Sequence, residues 1–232
     1  MKTHAITTSI RRSIVAASIL GTLGVTGISA HAAVVTWGAA TNISGDSDVS
    51  AAGTRVVALN FGDTGVASAT VNGTTFNAFP VVGFGTNGLS TVSGPFANLS
   101  ASYQGLLSSG VSGLSAGFAT TVGQNYLIEV WSNNSVSPNS IVTVTSGGSS
   151  VSLSSNVSGS TGGLGQFAIG TFTADSAVQN FSFTGANFTV NAAQLRLLPS
   201  AVPEPGSALA GMLALGVCFS GLVKRSRRQR LR

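Results

Sequence analysis

The run "YLIEVWS", Tyr126 to Ser132, decides the fold. It is too short for an ordinary helix, and its β-branched and aromatic residues suit a pleated strand. Successive strand side chains point to opposite faces, so Tyr126, Ile128 and Val130 share one side and Glu129 and Trp131 the other. Working outward, runs of the same kind are "RVVALNF" (Arg55–Phe61), "IVTVT" (Ile141–Thr145), "QFAIGTFT" (Gln166–Thr173), "VQNFSFT" (Val178–Thr184) and "AAQLRLL" (Ala192–Leu198). Gly, Ser, Asn and Pro punctuate them. Val71-Asn72-Gly73-Thr74 reads as a hairpin, because Asn-Gly supplies the positive φ of a type I′ turn. One or two helical turns are expected near Ser102–Leu107, and no long segment of helical period occurs. Ser146–Gly163, rich in Ser and Gly, reads as long loops carrying one strand. Residues 33–199 are therefore expected to be all-β: a two-sheet sandwich of jelly-roll type.

Charge is sparse and unevenly placed. Only 7% of the 232 residues are charged, against about 25% in ordinary soluble proteins. The formal net charge of +5 suggests nucleic acid until the cations are located. Lys2, Arg11 and Arg12 lie at the start, and Lys224, Arg225, Arg227, Arg228, Arg230 and Arg232 at the end. Between them stand only Arg55 and Arg196, facing Asp46, Asp48, Asp63, Glu129 and Asp175. The body is mildly acidic and offers no footprint for phosphate.

Both ends read as membrane-directed segments. Residues 1–32 have the form of a secretory signal: a positive start, an apolar stretch from Ser13 to Ser29, and a small-x-small site at Ala30-His31-Ala32. Cleavage is expected after Ala32 or after Ala33. At the other end, residues 206–223 carry no charge. As a helix they span roughly 27 Å, close to a hydrocarbon core. The basic tail 224–232 then stays on the cytoplasmic side and the body outside. Between body and helix lies Val202-Pro203-Glu204-Pro205, whose prolines hold the chain extended. Such a strip suits the groove of a processing enzyme.

Pro-Glu-Pro, an apolar helix and an Arg-rich tail, in that order, resemble the PEP-CTERM sorting signal over residues 200–232. The resemblance implies a bacterium with an outer membrane and an exosortase-type membrane enzyme as processing partner. It implies transient residence in the inner membrane, then the cell surface or extracellular matrix in association with exopolysaccharide. Val202, Pro203, Glu204 and Pro205 are the implied recognition residues. The body is also similar to extracellular β-sandwich modules that precede such signals. That likeness rests on "WGAATNISGDSDVS" (Trp37–Ser50), "TVGQNYLIEVWSNN" (Thr121–Asn134) and "GQFAIGTFTAD" (Gly165–Asp175).

The body carries little chemistry. His4 and His31 precede it and the sole cysteine, Cys218, lies beyond it, so it lacks the usual general base and a thiolate nucleophile. No G-x-S-x-G elbow precedes a helix. Asp46 and Asp48 are the only close carboxylate pair, and a solvated or turn-capping role is the expectation ahead of a glycosidase dyad. With Asn42 and Ser47 they are also the candidate calcium ligands, although the loop lacks the full acidic spacing of an EF-hand; no other cofactor is expected. Glu129 beside Trp131 is the candidate sugar-binding pair. Of its two readings, Trp131 closing the core edge while Glu129 meets solvent is favoured over an exposed docking surface. The functional expectation is an exported, non-catalytic surface or matrix protein. A polysaccharide-acting hydrolase and a purely structural or adhesive subunit are the alternatives.

Overall fold

The computed structural model describes residues 32–199 apart from Leu114. Ala30, the apolar signal stretch, the Val202–Pro205 strip, the segment 206–223 and the basic tail lie outside the described residues. The strands are β1 (Thr36–Trp37), β2 (Thr41–Asn42), β3 (Thr54–Gly62), β4 (Ala69–Val71), β5 (Thr74–Pro80), β6 (Gly85–Asn87), β7 (Ser109–Val111), β8 (Ser115–Ala119), β9 (Asn125–Ser132), β10 (Ile141–Ser146), β11 (Ser149–Ser154), β12 (Gln166–Thr173), β13 (Val178–Thr184) and β14 (Ala192–Leu197). One short helix, α1 (Ala101–Leu107), and two 3-10 turns (Asp46–Asp48 and Pro95–Asn98) complete the described elements. Among the described residues no helix is long and apolar enough to cross a membrane.

The fold is all-β and sandwich-like. An eight-stranded sheet runs β1-β12-β9-β14-β3-β5-β4, with β2 also paired to β12. A four-stranded sheet runs β11-β10-β13-β8, and β6 pairs with β7. The long central strands are antiparallel, but β3 and β5 pair in parallel. Asn72 (φ 46°) and Gly73 (φ 72°) form the expected positive-φ turn between β4 and β5. A second hairpin joins β10 to β11 through Gly147 (φ 57°) and Gly148 (φ 81°), and β11 is the one strand expected within Ser146–Gly163.

Strand alternation builds the first core. Tyr126, Ile128 and Val130 of β9 face the small sheet with Phe61, Phe172 and Leu195. Val142, Val144, Phe118, Phe181 and Phe183 answer from the small sheet. Burying a side chain of this size contributes about 1.5–3 kcal/mol. Trp37 packs edge-on against Phe181 at the border of this core.

The outer face of the large sheet is covered as well. Trp131, Phe167 and Ala192 pack there beneath Ile43, Val49, Phe76, Phe96 and Leu99, and beneath Tyr103, Leu106 and Leu107 of the helix. Antiparallel sheets commonly leave one face to water; here a cap of turns, a hairpin and α1 excludes it. β9 is consequently buried along nearly its whole length on both faces. Trp131 is buried as expected, whereas the burial of Glu129 corrects the expectation that it meets solvent.

Candidate functional site

Glu129 and Trp131 are both 0% exposed. Neither an exposed docking pair nor a solvated Glu129 is what the fold builds, because the outer cap lies over both. Trp131 stacks on Phe167 and meets Phe76 edge-on. Glu129 instead anchors a buried polar network.

That network begins with strand register. Gln194 of β14 lies directly opposite Glu129 of β9. Glu129 Oε2 accepts hydrogen bonds from Gln194 Nε2 at 2.6 Å and from the Ser50 backbone N–H at 3.1 Å. Glu129 Oε1 is buried without a partner among the described residues. Gln194 Oε1 accepts from Arg196 Nη1 at 3.1 Å. Gln194 thus stands between a buried acid and a buried base. Arg196 then grips the loop just after Ser50. Its Nε donates to Ala52 O at 2.6 Å, and its Nη2 donates to Ala51 O and Gly53 O at 3.1 and 3.0 Å. Gly53 is required here: its φ is +67°, and a Cβ would lie 2.2 Å from Leu197 O.

Burial sets the protonation. Loss of water pushes the Glu129 carboxyl up to about 8, against the pull of the Gln194 and Ser50 hydrogen bonds. Burial lowers the Arg196 guanidinium, and the nearby Glu129 opposes that shift. Tyr103 is raised by burial first and by the charge of Asp48 second.

A second chain of hydrogen bonds reaches the acidic turn. Trp131 Nε1 donates to Tyr103 Oη at 3.0 Å, and Tyr103 Oη donates to Asp48 Oδ2 at 3.2 Å. Asp48 also accepts from Ser44 N, Ser44 Oγ and Gly45 N. Asp46 Oδ1 accepts from Ser100 Oγ at 2.6 Å, and Ser100 Oγ in turn caps α1 through the Tyr103 N–H. Both carboxylates therefore organise a 3-10 turn and a helix start. A calcium ion on Asp48 would have to displace donors already in place. Among the described residues no three His, Cys, Asp or Glu side chains converge as a metal site.

Two open grooves lie at opposite ends of β9. One is lined by Ala33, Thr36, Asn125, Tyr126, Asp175 and Leu198; the other by Asn134, Pro138, Asn139, Asn187, Phe188 and Thr189. Neither is lined by Asp46, Asp48 or Glu129. The two chain exits share the first groove. There, Ala33 of the expected cleavage region is buried, and its N–H and C=O both pair with the Gln179 side chain at 3.0 and 2.7 Å.

The sequence reading does not find Gln194, Arg196, Tyr103 or Ser50. The alternation of Gln194 and Arg196 with Leu195 and Leu197 is the ordinary mark of a solvent-facing side, and only the tertiary cap reverses it. Comparison with protein-family models, with curated proteins and with solved structures finds no match.

Proposed function

We propose that this is an exported, non-catalytic protein of the cell surface or extracellular matrix, sorted through its C-terminal segment. One observation carries the reading: charge is separated from the folded body. Six cations close the chain behind an uncharged stretch and Val202-Pro203-Glu204-Pro205, while the body between Val34 and Pro199 holds only seven charged residues. The carboxylates Asp46, Asp48 and Glu129 accept structural hydrogen bonds, which supports a body without a catalytic pair.

Under this reading the signal is cut after Ala32. Ala33 is integrated into the fold through Gln179, and the Ala33 carbonyl packs against Gly147. A cut after Ala33 would discard those contacts. The exit of both chain ends at one groove suits a module held at one end by its C-terminal segment. The exported body is read as a jelly roll that has admitted one parallel pairing, β3 with β5.

The test has two arms. Cells bearing the sorting enzyme are fractionated, with the body expected at the surface or in the matrix. Purified protein is screened on polysaccharides beside Asp46→Asn, Asp48→Asn, Asp63→Asn, Glu129→Gln and Asp175→Asn. No hydrolysis is expected. A cytoplasmic body, or a hydrolysis that one of these substitutions abolishes, overturns the reading.

A further inference from the structure

We propose that the groove at the end of the sandwich away from the chain exits binds a neutral oligosaccharide. The proposal deepens the reading of an exported matrix protein and rests on it. The groove opens where β9 ends and β14 begins, between the loops 134–140 and 186–189. The chain-exit groove takes in Asn125, Tyr126, Leu198 and Pro199 at the other ends of these same strands. An eight-residue strand separates the two by about 27 Å. A body held by its C-terminal segment therefore presents the 134–140 loop outward.

The lining chooses the ligand class. The groove has a volume of about 680 Å³, within the usual range of small-ligand sites, about 300–1,000 Å³. No charged side chain is among its lining residues. An anionic polymer or a phosphate, once desolvated there, would find no guanidinium or ammonium to replace water. Leu89, Val111 and Phe188 are buried in the floor, and the open apolar surface is shared with exposed Pro138 and Ala186, so a wholly apolar ligand would bury the neighbouring amides and hydroxyls without partners. The groove thus presents uncharged amides and hydroxyls beside small apolar surfaces, which matches the mixed faces of a neutral sugar.

Three of those amides keep free hydrogen-bonding capacity. Asn139 Oδ1 accepts from Ser154 Oγ and the Asn156 N–H, which leaves Nδ2 to donate. Asn134 Oδ1 accepts from the Val136 and Ser137 N–H groups, and its Nδ2 makes no bond among the described residues. Asn187 is exposed, at φ 52°, with its amide unpaired among the described residues. The structural bonds on Asn134 and Asn139 fix those two amides in orientation before any ligand arrives, which lowers the ordering cost of binding. A sugar hydroxyl both donates and accepts, as an amide does, and needs no charge. A peptide, by contrast, adds most readily along a free strand edge, and the 134–140 and 186–189 walls are loops.

The test is affinity electrophoresis of the full-length chain in mild detergent, through native gels containing dextran, galactomannan or alginate. Retardation by at least one neutral polymer is expected, and weaker retardation by anionic alginate. Asn139→Asp keeps the accepting oxygen and removes the free donor. Asn187→Gly removes an amide where positive φ already suits glycine. Together they are expected to weaken neutral-polymer binding by about tenfold, the loss of two hydrogen bonds. Thr36→Ala in the chain-exit groove leaves binding unchanged. Should the double variant melt early, Ser112→Tyr, which narrows the groove from its exposed rim, carries the same expectation. The proposal is overturned by no retardation in either neutral polymer, by preference for alginate, by full binding in the groove variants, or by an equal loss in Thr36→Ala. Normal surface sorting without binding defeats this proposal alone; failed sorting with intact groove binding defeats the export reading alone.

Discussion

Gln194 sits directly opposite Glu129 across the β14–β9 pairing and donates a 2.6 Å hydrogen bond to its carboxylate. The contact lies beneath the outer cap, where a charged carboxylate is disfavoured. It explains why a polar residue in the middle of a central strand is compatible with a closed core.

The protonation of Glu129 predicts a pH dependence. Folding raises its carboxyl from 4.5 to about 8, so the folded chain holds a proton that the unfolded chain releases. Stability from that proton is fully present below pH 4.5 and is lost as pH rises toward 8. No histidine lies between residues 32 and 199 to titrate in the same window. Glu129→Gln preserves the neutral shape. Thermal melts across this range should therefore fall with pH in the wild type and stay level in the variant. Parallel decline in both would remove Glu129 as the cause.

Arg196 predicts where the cap fails first. Arg196→Met keeps an apolar stem but abandons the carbonyls of Ala51, Ala52 and Gly53. A loss of about 2–4 kcal/mol in urea unfolding is expected, the range for breaking a buried charged network. Elastase should also cut the variant near Ala51 or Ala52 before the rest of the body. Unchanged stability together with an uncut loop would show that the strap is not held by Arg196.

The turn between β4 and β5 makes a third prediction. Gly73 has φ 72°, and no atom lies within 4 Å of a Cβ placed there, so only backbone strain opposes a side chain. Gly73→Ala should cost about 1–2 kcal/mol in urea unfolding. Gly148→Ala, at φ 81° in the β10–β11 turn with the same open surroundings, should behave alike. A neutral result at both sites would contradict the turn assignment.

Sequence and structure agree or part along physical lines. β12 and β13 match the sequence runs Gln166–Thr173 and Val178–Thr184 residue for residue, since aromatic and β-branched residues meet clear turn residues at both ends. α1 likewise falls within a residue of its expected place. The β10–β11 hairpin was legible in principle, because Gly-Gly between polar strands favours the same turn as Asn-Gly. Its serines blur the bounds of the expected strand by weakening the apolar alternation. The parallel β3–β5 pairing left no local mark. The burial of Glu129, Gln194 and Arg196 was illegible for a different reason. Alternation identifies two faces of a strand, but whether a distant loop, hairpin and helix cover the polar face is a long-range fact.

The proposed sorting of the chain turns on Val202–Pro205 and the residues behind it. Intact mass spectrometry of the mature chain, from cells carrying the sorting enzyme, tests this most directly. The account predicts a new N-terminus at Ala33 and a new C-terminus near Pro203–Gly206, with residues 207–232 absent. Pro203→Ala with Pro205→Ala removes the two residues expected to hold the strip extended and, on the proposed reading, should leave the chain at its full signal-cleaved length in the inner membrane. Wild type and variant both intact through Arg232 would contradict the account, leaving residues 206–223 as a permanent anchor.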